Sequence, residues 1–144
     1  MFGLQEGFEN SDPTAEELAS QALFYTYVEF RRYNIIGSDQ YFHCLAACRA
    51  TKASGLPDYV RSEMQAKEDR DYALWSIGLY RRDIKTVQGI LADINRDLEV
   101  NEYGLQCPVL VSCKTRCQTY IDSMVKTPNS RQALRDIFRP ERQW

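Results

Sequence analysis

The sequence predicts an all-α protein, a bundle of five to six helices in a single domain spanning residues 1–144. Three observations support this prediction. Apolar residues recur at spacings of three and four, signals that start and stop helices separate the periodic segments, and no stretch has the pattern of a strand. With 44% hydrophobic and 26% charged residues, the chain can bury a core of its own. No repeat, low-complexity run or linker divides it.

The first helix is predicted to begin at residues 11–14, Ser-Asp-Pro-Thr, and to run to about Tyr33. This start combines a capping side chain, a proline for the first turn, and Glu16 and Glu17 at the positive end of the helix dipole. The middle of the helix is apolar nearly all round, which indicates burial on more than one side or contact with a partner. The apolar residues concerned are Phe24, Tyr25, Tyr27, Val28, Phe30 and Tyr33.

Two further helices follow a turn at residues 37–39. The second helix is short and ends near residues 54–57, where serine, glycine and proline are typical of a break. The third is predicted from Asp58 to about Tyr80, because this segment is rich in helix formers and charges and has one solvated face. One face of the second helix carries Tyr41, Cys44 or Leu45, and Cys48.

The fourth helix has the clearest periodicity, and the fifth carries the second pair of cysteines. Gly104 is predicted to end the fourth helix as a left-handed C-cap, and Pro108 is predicted to open the fifth. A short last helix is predicted to run through Phe138 and to end at Pro140. The apolar stripes are Ile84, Val87, Leu91, Ile94 and Leu98 on the fourth helix, and Leu110, Cys113, Cys117, Tyr120 and Met124 on the fifth.

Four of the five cysteines form two pairs with a spacing of four on predicted helices. If the second and fifth helices pack antiparallel, Cys44–Cys117 and Cys48–Cys113 form two parallel disulfide rungs. Closing a loop of about 65 residues stabilises a protein by about 4 kcal/mol in the chain-entropy model. Four free buried thiols are the alternative, because cysteine also packs as a small hydrophobe. Structural zinc favours cysteines in loops, so no metal is expected, and Cys107 is predicted to have no partner.

Charge and hydropathy argue against several classes of partner and location. Eighteen basic residues against 20 acidic ones give a net charge of -2, whereas nucleic-acid binding relies on a basic excess, so no nucleic-acid partner is expected. The first residues lack the basic start and apolar run of a signal peptide. The most apolar window, residues 22–28, is far shorter than the ~20 apolar residues that span a bilayer, so no transmembrane helix is predicted.

Residues 33–43, Tyr-Asn-Ile-Ile-Gly-Ser-Asp-Gln-Tyr-Phe-His, resemble the central signature of serum amyloid A, a small helical-bundle protein. Two later motifs agree with this resemblance. Lys67-Glu68 is similar to the arginine-glutamate step in the third helix of that family. Residues 101–104, Asn-Glu-Tyr-Gly, match its Asn-Glu-aromatic-Gly motif and follow an acidic residue at Asp97. The resemblance therefore implies a serum amyloid A-like helical bundle.

A related bacterial domain, found at the C-termini of Rhs-type and other polymorphic secreted toxins, is more similar still. It carries His-Cys-x3-Cys and a later cysteine pair, and this chain has His-Cys-Leu-Ala-Ala-Cys at residues 43–48. Two features depart from that pattern: Ala47 stands where asparagine is frequent, and the glycine-rich turn is reduced to residues 52–57. The resemblance covers about residues 29–106, followed by a C-terminal helical extension at residues 107–144.

His43, the only histidine, is the candidate catalytic residue, and Asp39 lies one turn before it as a carboxylate that could orient the imidazole. In the alternative, structural interpretation, Asp39 caps the second helix and His43 forms a hydrogen bond within the bundle. No nucleophile motif, glycine-rich loop or metal motif accompanies the pair, which favours the structural interpretation. Charged residues at family positions could also line a polar site, although an ion-pair network is favoured. They are Arg49, Lys67, Glu68, Arg70, Asp71, Asp97 and Glu102.

The resemblance implies a bacterial secreted effector or antibacterial toxin domain that serves interbacterial competition. Three functions are considered: binding of lipid or a membrane, an enzymatic toxin (a hydrolase or transferase) that uses His43 with Asp39, and a non-enzymatic cytosolic interaction protein. Binding is the first expectation, although the same aromatic stripe fits a core or a homo-oligomer interface. The candidate contacts on the first helix are Phe24, Tyr25, Tyr27 and Phe30.

Each hypothesis carries expectations about location and partners. A toxin without a signal peptide would be delivered by a specialised secretion system or as part of a larger chain, and it would have a cognate immunity protein. An interaction protein with reduced cysteines would be cytoplasmic. None of the three hypotheses requires a cofactor.

Overall fold

The computed structural model describes residues 12–76 and 87–123 of the 144-residue chain. These residues form five α-helices and one 3-10 helix, and no strand occurs among them. The predicted all-α class is therefore confirmed for the described part of the chain. The α-helices are α1 (Ala15–Tyr33), α2 (Asp39–Ser54), α3 (Pro57–Ser76), α4 (Val87–Leu105) and α5 (Cys113–Cys117), and the 3-10 helix spans Gln118–Ser123.

A capping box fixes the start of α1. The Oγ1 of Thr14 accepts a hydrogen bond from the backbone N–H of Glu17, and the Glu17 carboxylate accepts one from the backbone N–H of Thr14, both at 3.1 Å. Pro13 precedes this cap, so the prediction of a proline in the first helical turn is wrong. At the other end, Asn34 adopts a left-handed conformation with φ 49°, and α1 ends at Tyr33 as predicted.

Helix α2 lies at the centre of the bundle, because it packs against α1, α3, α4, α5 and the 3-10 helix. Small side chains allow several neighbours to approach it at once, notably Ala46, Ala47 and Ala50. Gly55, with φ 70°, ends the helix in the left-handed region that glycine tolerates best. The buried residues of α2 are Tyr41, Phe42, Cys44, Leu45, Ala46, Ala47, Cys48, Arg49 and Ala50.

Helix α3 begins at Pro57, one residue earlier than predicted. Proline suits this first position, because the N–H that it lacks would have had no helical acceptor. The described part of α3 ends at Ser76. Several predictions lie outside the described residues, namely the end of the third helix near Tyr80, the stripe residues Ile84 and Met124, and the last helix through Phe138 with its stop at Pro140.

The closest approach between α2 and α4 is at Gly104. A Cβ built on Gly104 would collide with the backbone carbonyl oxygen of Cys44 and would lie 2.9 Å from the Cβ of Ala47. Helix α4 continues past Gly104 to Leu105, and Gly104 is not among the positive-φ glycines. The predicted role of Gly104 as a left-handed C-cap is therefore wrong. Glycine is needed here because a side chain would push the two helices apart.

The buried face of α4 differs from the predicted apolar stripe. Leu91 is 45% exposed, and Ile94 and Leu98 are only partly buried. Val100 and Leu105 belong to the core, and Gly104 lies with them against α2. Periodicity thus predicted the helix correctly but not the face that it buries, because the residues facing α2 include polar and glycine positions.

Helix α5 is shorter than predicted. It begins at Cys113, and the Oγ of Ser112 caps it by accepting a hydrogen bond from the backbone N–H of Thr115 at 3.1 Å. Pro108 therefore does not open this helix, and Leu110, predicted on its apolar face, is 98% exposed in the preceding turn. The capping serine determines the start here, rather than the proline.

Both predicted disulfides are present. Cys44 is bonded to Cys117 and Cys48 to Cys113, with Cα atoms 5.7 and 5.5 Å apart. The pairing confirms that α2 and α5 run antiparallel. All four bonded cysteines are fully buried, and Cys107 is the free cysteine, as predicted.

The buried guanidinium of Arg49 connects α2 to α1. It donates hydrogen bonds to the Oγ1 of Thr26 at 3.2 Å and to the Oε1 of Glu29 at 3.1 Å. Its Cζ also lies 5.4 Å from the centre of the Tyr25 ring. Because a buried charge needs such partners, this local set explains how α2 tolerates an arginine with no exposed surface.

We expect Gly104→Ala to lower the free energy of unfolding by about 2 kcal/mol. Overpacking against the carbonyl of Cys44 costs about 3 kcal/mol, while the better helix propensity of alanine returns about 1 kcal/mol. Chemical denaturation of both proteins measures the difference. A stabilised variant would show that Gly104 is an ordinary helical position and that the close approach of α2 and α4 is wrong.

Protein purified without reductant should contain one free thiol per chain, that of Cys107, because the other four cysteines are bonded. Labelling under denaturing conditions counts the thiols, and Cys107→Ser should bring the count to zero. Removal of the Cys44–Cys117 bond by double alanine substitution should cost about 3 kcal/mol, because with the Cys48–Cys113 bond intact it closes a loop of only about ten residues. Five reactive thiols in both the folded and unfolded protein would contradict the disulfides.

Candidate functional site

His43 projects from α2 towards α3 and α4 and is surrounded by polar side chains from both. Its Nδ1 lies 3.0 Å from the Oδ1 of Asn101. Its Nε2 lies 3.6 Å from a carboxylate oxygen of Asp97 and 3.9 Å from one of Glu68. Asp97 and Asn101 are one turn apart on α4, and Glu68 is on α3, so three helices contribute to one cluster. We call His43, Glu68 and Asp97 the His43 cluster.

The hydrogen bond to Asn101 orients the imidazole. An amide oxygen only accepts, so the Nδ1 of His43 donates and Nε2 is directed at the two carboxylates. Asn101 is itself 4% exposed. The hydrogen bond within the bundle that the structural interpretation predicts is therefore present, and its partner is Asn101 of α4.

Asp39, the predicted partner of His43, does not approach the imidazole within 4 Å; the described carboxylates that do are Asp97 and Glu68. Asp39 is also not the cap of α2. Ser38 occupies the N-cap position, where its hydroxyl donates to the carbonyl of Ile35 at 2.7 Å, and Asp39 is the first helical residue. Asp39 thus neither caps α2 nor contacts the imidazole, although it lines the same cavity as His43.

Burial raises the pKa of both carboxyl groups in the cluster. For Glu68, desolvation is the largest cause and the charge of Asp97 adds to it, while His43 and Lys67 oppose the rise in pKa. For Asp97, desolvation is again the largest cause, and the carboxylate of Asp39 raises the pKa further. The cluster thus concentrates negative charge where water screens it poorly.

The cluster forms the polar side of a cavity of about 780 Å³ between α1, α2, α3 and α4. The opposite side is apolar and aromatic and comes largely from α1. Among the described residues that line the cavity, six are carboxylates and two are permanently cationic. The apolar side includes Leu23, Phe24, Tyr27, Phe30, Phe42 and Met64, and the charged side includes Asp39, Glu63, Lys67, Arg70, Asp71 and Asp93 beside the His43 cluster. The cavity thus suits a ligand with an apolar part and a cationic or metal-bound part.

The predicted set of charged residues divides into separate groups. Five of its members line the cavity, whereas Arg49 pairs with Glu29 and Glu102 pairs with Arg61 at 2.7 Å outside it. Lys67 donates a hydrogen bond to Asp71 at 2.8 Å. Burial lowers the pKa of Lys67, but Asp71 and the neighbouring carboxylates outweigh this effect and the pKa is raised. The five that line the cavity are Lys67, Glu68, Arg70, Asp71 and Asp97, and two of them, Lys67 and Asp71, also form an ion pair.

The four aromatic candidates on α1 have different surroundings. Phe24 is 68% exposed and Tyr27 48% exposed, and both border the cavity. Tyr25 lies beside Arg49, whereas Phe30 is half-buried with its ring 5.3 Å from that of Phe42. In the described segments, no helix combines the length and the hydrophobicity that crossing a membrane demands.

In residues 12–76 and 87–123, two groups of side chains have the composition of metal ligands. The ligand atoms of the His43 cluster lie within 4.8 Å of one another, and so do the sulfurs of Cys48, Cys107 and Cys113. The cysteine group cannot hold an ion as it stands, because two of its sulfurs are joined to each other. The His43 cluster is thus the better candidate for cation binding as well as for proton transfer.

The structure places His43 beside two members of the predicted charged set, Glu68 and Asp97, whereas its hydrogen bond to Asn101 was not predicted. The signal was present: Asp97, Asn101 and Gly104 follow one another at steps of four and three, which places them on one face of α4. A polar stripe that ends in glycine indicates a face in close contact with another helix. Only the three-dimensional structure shows that this helix is α2.

Glu68→Gln should stabilise the cation-free protein near neutral pH. Because the folded-state pKa of Glu68 lies above its ordinary value of 4.5, stability is lost as the pH rises from that value through the folded-state pKa. The rise in melting temperature should therefore be small at about pH 4 and larger at about pH 7.

Glu102→Gln is the control, and its melting temperature should change in the opposite direction. A hydrogen bond from Arg61 lowers the pKa of Glu102, so this substitution should destabilise at neutral pH. A Glu68→Gln variant that is less stable at neutral pH would contradict the unfavourable burial of this carboxylate.

The sequence is similar to that of YlbH, an uncharacterized protein of Escherichia coli (strain K12), with 37% identity over 114 residues. The matched region is 77% of this chain and 48% of YlbH, so the chain spans about half the length of that curated relative. No protein-family model matches the sequence. No solved structure matches it either.

Proposed function

We propose that the chain is an enzymatic toxin domain of a bacterial secreted effector, a hydrolase with the His43 cluster as its reaction centre. The observation that carries this proposal is the position of the cluster. An imidazole and two buried carboxylates from three helices open onto a cavity large enough for a small-molecule ligand. Clusters of this kind are unfavourable for stability, which favours a functional reason for their presence.

The cluster has the groups that hydrolysis needs. A water molecule that attacks a carbonyl or phosphoryl centre must lose a proton, and the leaving group must gain one. Carboxyl groups with raised pKa, such as those of Glu68 and Asp97, can accept and return that proton closer to neutral pH than ordinary carboxyl groups can. The apolar wall of the cavity, which includes Phe42 and Met64, would hold the non-reacting part of the substrate.

The resemblance to serum amyloid A-like domains supports the same location. Its first motif, residues 33–43, ends at His43, its second contains Glu68, and its third begins at Asn101, after Asp97. These motifs are far apart in the sequence, yet their polar side chains meet at one cavity. This convergence favours the proposal that the chain is a serum amyloid A-like domain and that the shared residues serve one site.

The two disulfides favour the bacterial secreted branch of the resemblance. His43 is followed by Cys44 and Cys48, and both of these cysteines are bonded to the later pair. Buried disulfides are typical of proteins that work in an oxidising compartment, so they also argue against a cytosolic interaction protein. Delivery by a specialised secretion system or within a larger chain, together with a cognate immunity protein, belongs to this proposal.

Binding of lipid or a membrane is the second candidate, because Phe24, Tyr25 and Tyr27 are exposed on one helix. The charge of the neighbouring cavity weighs against it. Six carboxylates repel an anionic lipid headgroup, so only the outer aromatic surface of α1 would contact a bilayer. The same exposed surface also suits a homo-oligomer.

Expression in bacteria, directed to the cytoplasm or to the periplasm, tests the two candidates together. We expect growth arrest in one compartment, and we expect His43→Ala, Glu68→Gln and Asp97→Asn each to relieve it by at least about a hundredfold in surviving cells, the scale of lost acid-base catalysis. Circular dichroism and melting curves confirm that each variant is folded. Glu102→Gln, outside the cavity, serves as the matched control and should remain toxic.

Substitution of Phe24 and Tyr27 by aspartate tests the membrane-binding alternative. If these variants lose toxicity and liposome leakage while His43→Ala retains both, membrane binding is the function and the hydrolase proposal is wrong. Toxicity that is unaffected by all of the cavity substitutions would also overturn the proposal.

A further inference from the structure

We infer that His43, Glu68 and Asp97 form a binding site for one divalent transition-metal ion such as zinc or manganese. This inference deepens the proposed function, because it rests on the same cavity, but metal binding can be measured without any activity. Nitrogen and carboxylate ligands together are typical of such ions, whereas magnesium and calcium prefer oxygen alone.

The distances within the cluster fit a shared ion. Two ligand atoms that are each about 2.1 Å from one metal lie about 3.0 Å apart at a right angle and about 3.4 Å apart at the tetrahedral angle. The Nε2 of His43 lies 3.6 Å from Asp97 and 3.9 Å from Glu68, and all three ligand atoms lie within 4.8 Å of one another. The ligand atoms of His43 and Asp97 would need to move by a few tenths of an ångström, and that of Glu68 somewhat more, to reach these distances.

Asn101 holds the imidazole as a ligand requires. Metal-bound histidines usually donate their other ring N–H to an acceptor, which fixes the tautomer and directs the free lone pair at the ion. The Nδ1 of His43 makes this hydrogen bond with the Oδ1 of Asn101, and Nε2 faces the two carboxylates. In the neutral imidazole, that lone pair would face two other electron-rich atoms, an arrangement that a cation relieves.

The surroundings of Glu68 are an independent indication that this site binds a cation. Glu68 is 4% exposed and lines the cavity, yet among the described residues its carboxylate accepts no hydrogen bond, and the Nε2 of His43 lies 3.9 Å from it. A buried carboxylate without a donor is costly unless a cation pairs with it. Lys67 acts on Glu68 through its charge, but it makes no hydrogen bond to that carboxylate, and its Nζ donates to Asp71 instead.

The site also leaves room for chemistry. Three protein ligands occupy only part of the coordination shell of zinc, and all three line the cavity between α1, α2, α3 and α4. A water bound there would be more acidic than bulk water and would lie beside a substrate in the cavity. This arrangement is that of a catalytic rather than a structural metal site.

Titration of the metal-stripped full chain with zinc or manganese ions, followed by calorimetry and melting curves, tests the inference. We expect saturable binding of one ion per chain and a melting temperature that rises with ion concentration. Affinity should fall at least about tenfold in His43→Ala, Asp97→Asn and Glu68→Gln. Glu68→Gln is decisive, since it should be folded and, without metal, at least as stable as the parent. Asn101→Ala should weaken binding less than loss of a ligand does.

Two controls exclude binding elsewhere. Cys107→Ser removes the free thiol, and Glu102→Gln removes a carboxylate outside the cavity; both should retain the affinity of the parent protein. No saturable binding, or binding that survives the three ligand substitutions, would overturn the metal site. Loss of toxicity in the same variants without any metal binding would leave the hydrolase proposal intact. Conversely, if the parent protein binds metal but its toxicity is unaffected by substitutions in the His43 cluster, the metal site is supported and the hydrolase proposal is wrong.

Discussion

The contact between α2 and α4 at Gly104 determines where the functional groups of this protein meet. Without a side chain at this position, the two helices come within backbone contact at the carbonyl of Cys44. Asn101 and Asp97 lie on the same face of α4, one and two turns before the contact, and they are thereby brought to the imidazole of His43. A larger residue at 104 would separate the helices and open the cluster before any ligand bound.

Helix α2 carries both the cysteines that link it to α5 and the histidine of the candidate site, two roles that usually belong to different elements. One side of it carries Cys44 and Cys48, which are bonded to α5, and the adjacent side carries His43 at the cavity. Buried carboxylates such as Glu68 lower the stability of the fold, whereas disulfides raise it. The disulfides on one side of α2 can therefore offset the loss of stability at the cavity. A helix fixed at one face is a suitable support for a cluster whose two carboxylates repel each other.

The sequence predicted those features that depend on local patterns. The all-helical class, the end of α1 at Tyr33 and the pairing of Cys44 with Cys117 follow from periodicity, composition and spacing, and all are confirmed in the described residues. The partner of His43 could not be predicted in this way. Asp39 was its nearest carboxylate along the chain, but the approach of α4, 58 residues away at Asn101, decides which groups surround the imidazole.

The roles of Gly104 and Pro108 could not be predicted from local sequence either. Gly104 near a helix end has the local signature of a C-cap, and the clash that makes glycine necessary is visible only from Cys44 on another helix. Pro108 has the signature of a helix start, but Ser112 offers the backbone a better acceptor four residues later. In both cases a tertiary or competing local interaction decided between structures that propensity alone left close in energy.

The nested arrangement of the two disulfides has a topological consequence. The bond between Cys48 and Cys113 encloses a ring of chain, and the bond between Cys44 and Cys117 encloses that ring in turn. Heat or denaturant can unfold the helices, but neither can extend the oxidised polypeptide into a single strand. Any passage through a pore that admits one strand at a time therefore requires that all four sulfurs be reduced, and the rungs must close on the far side.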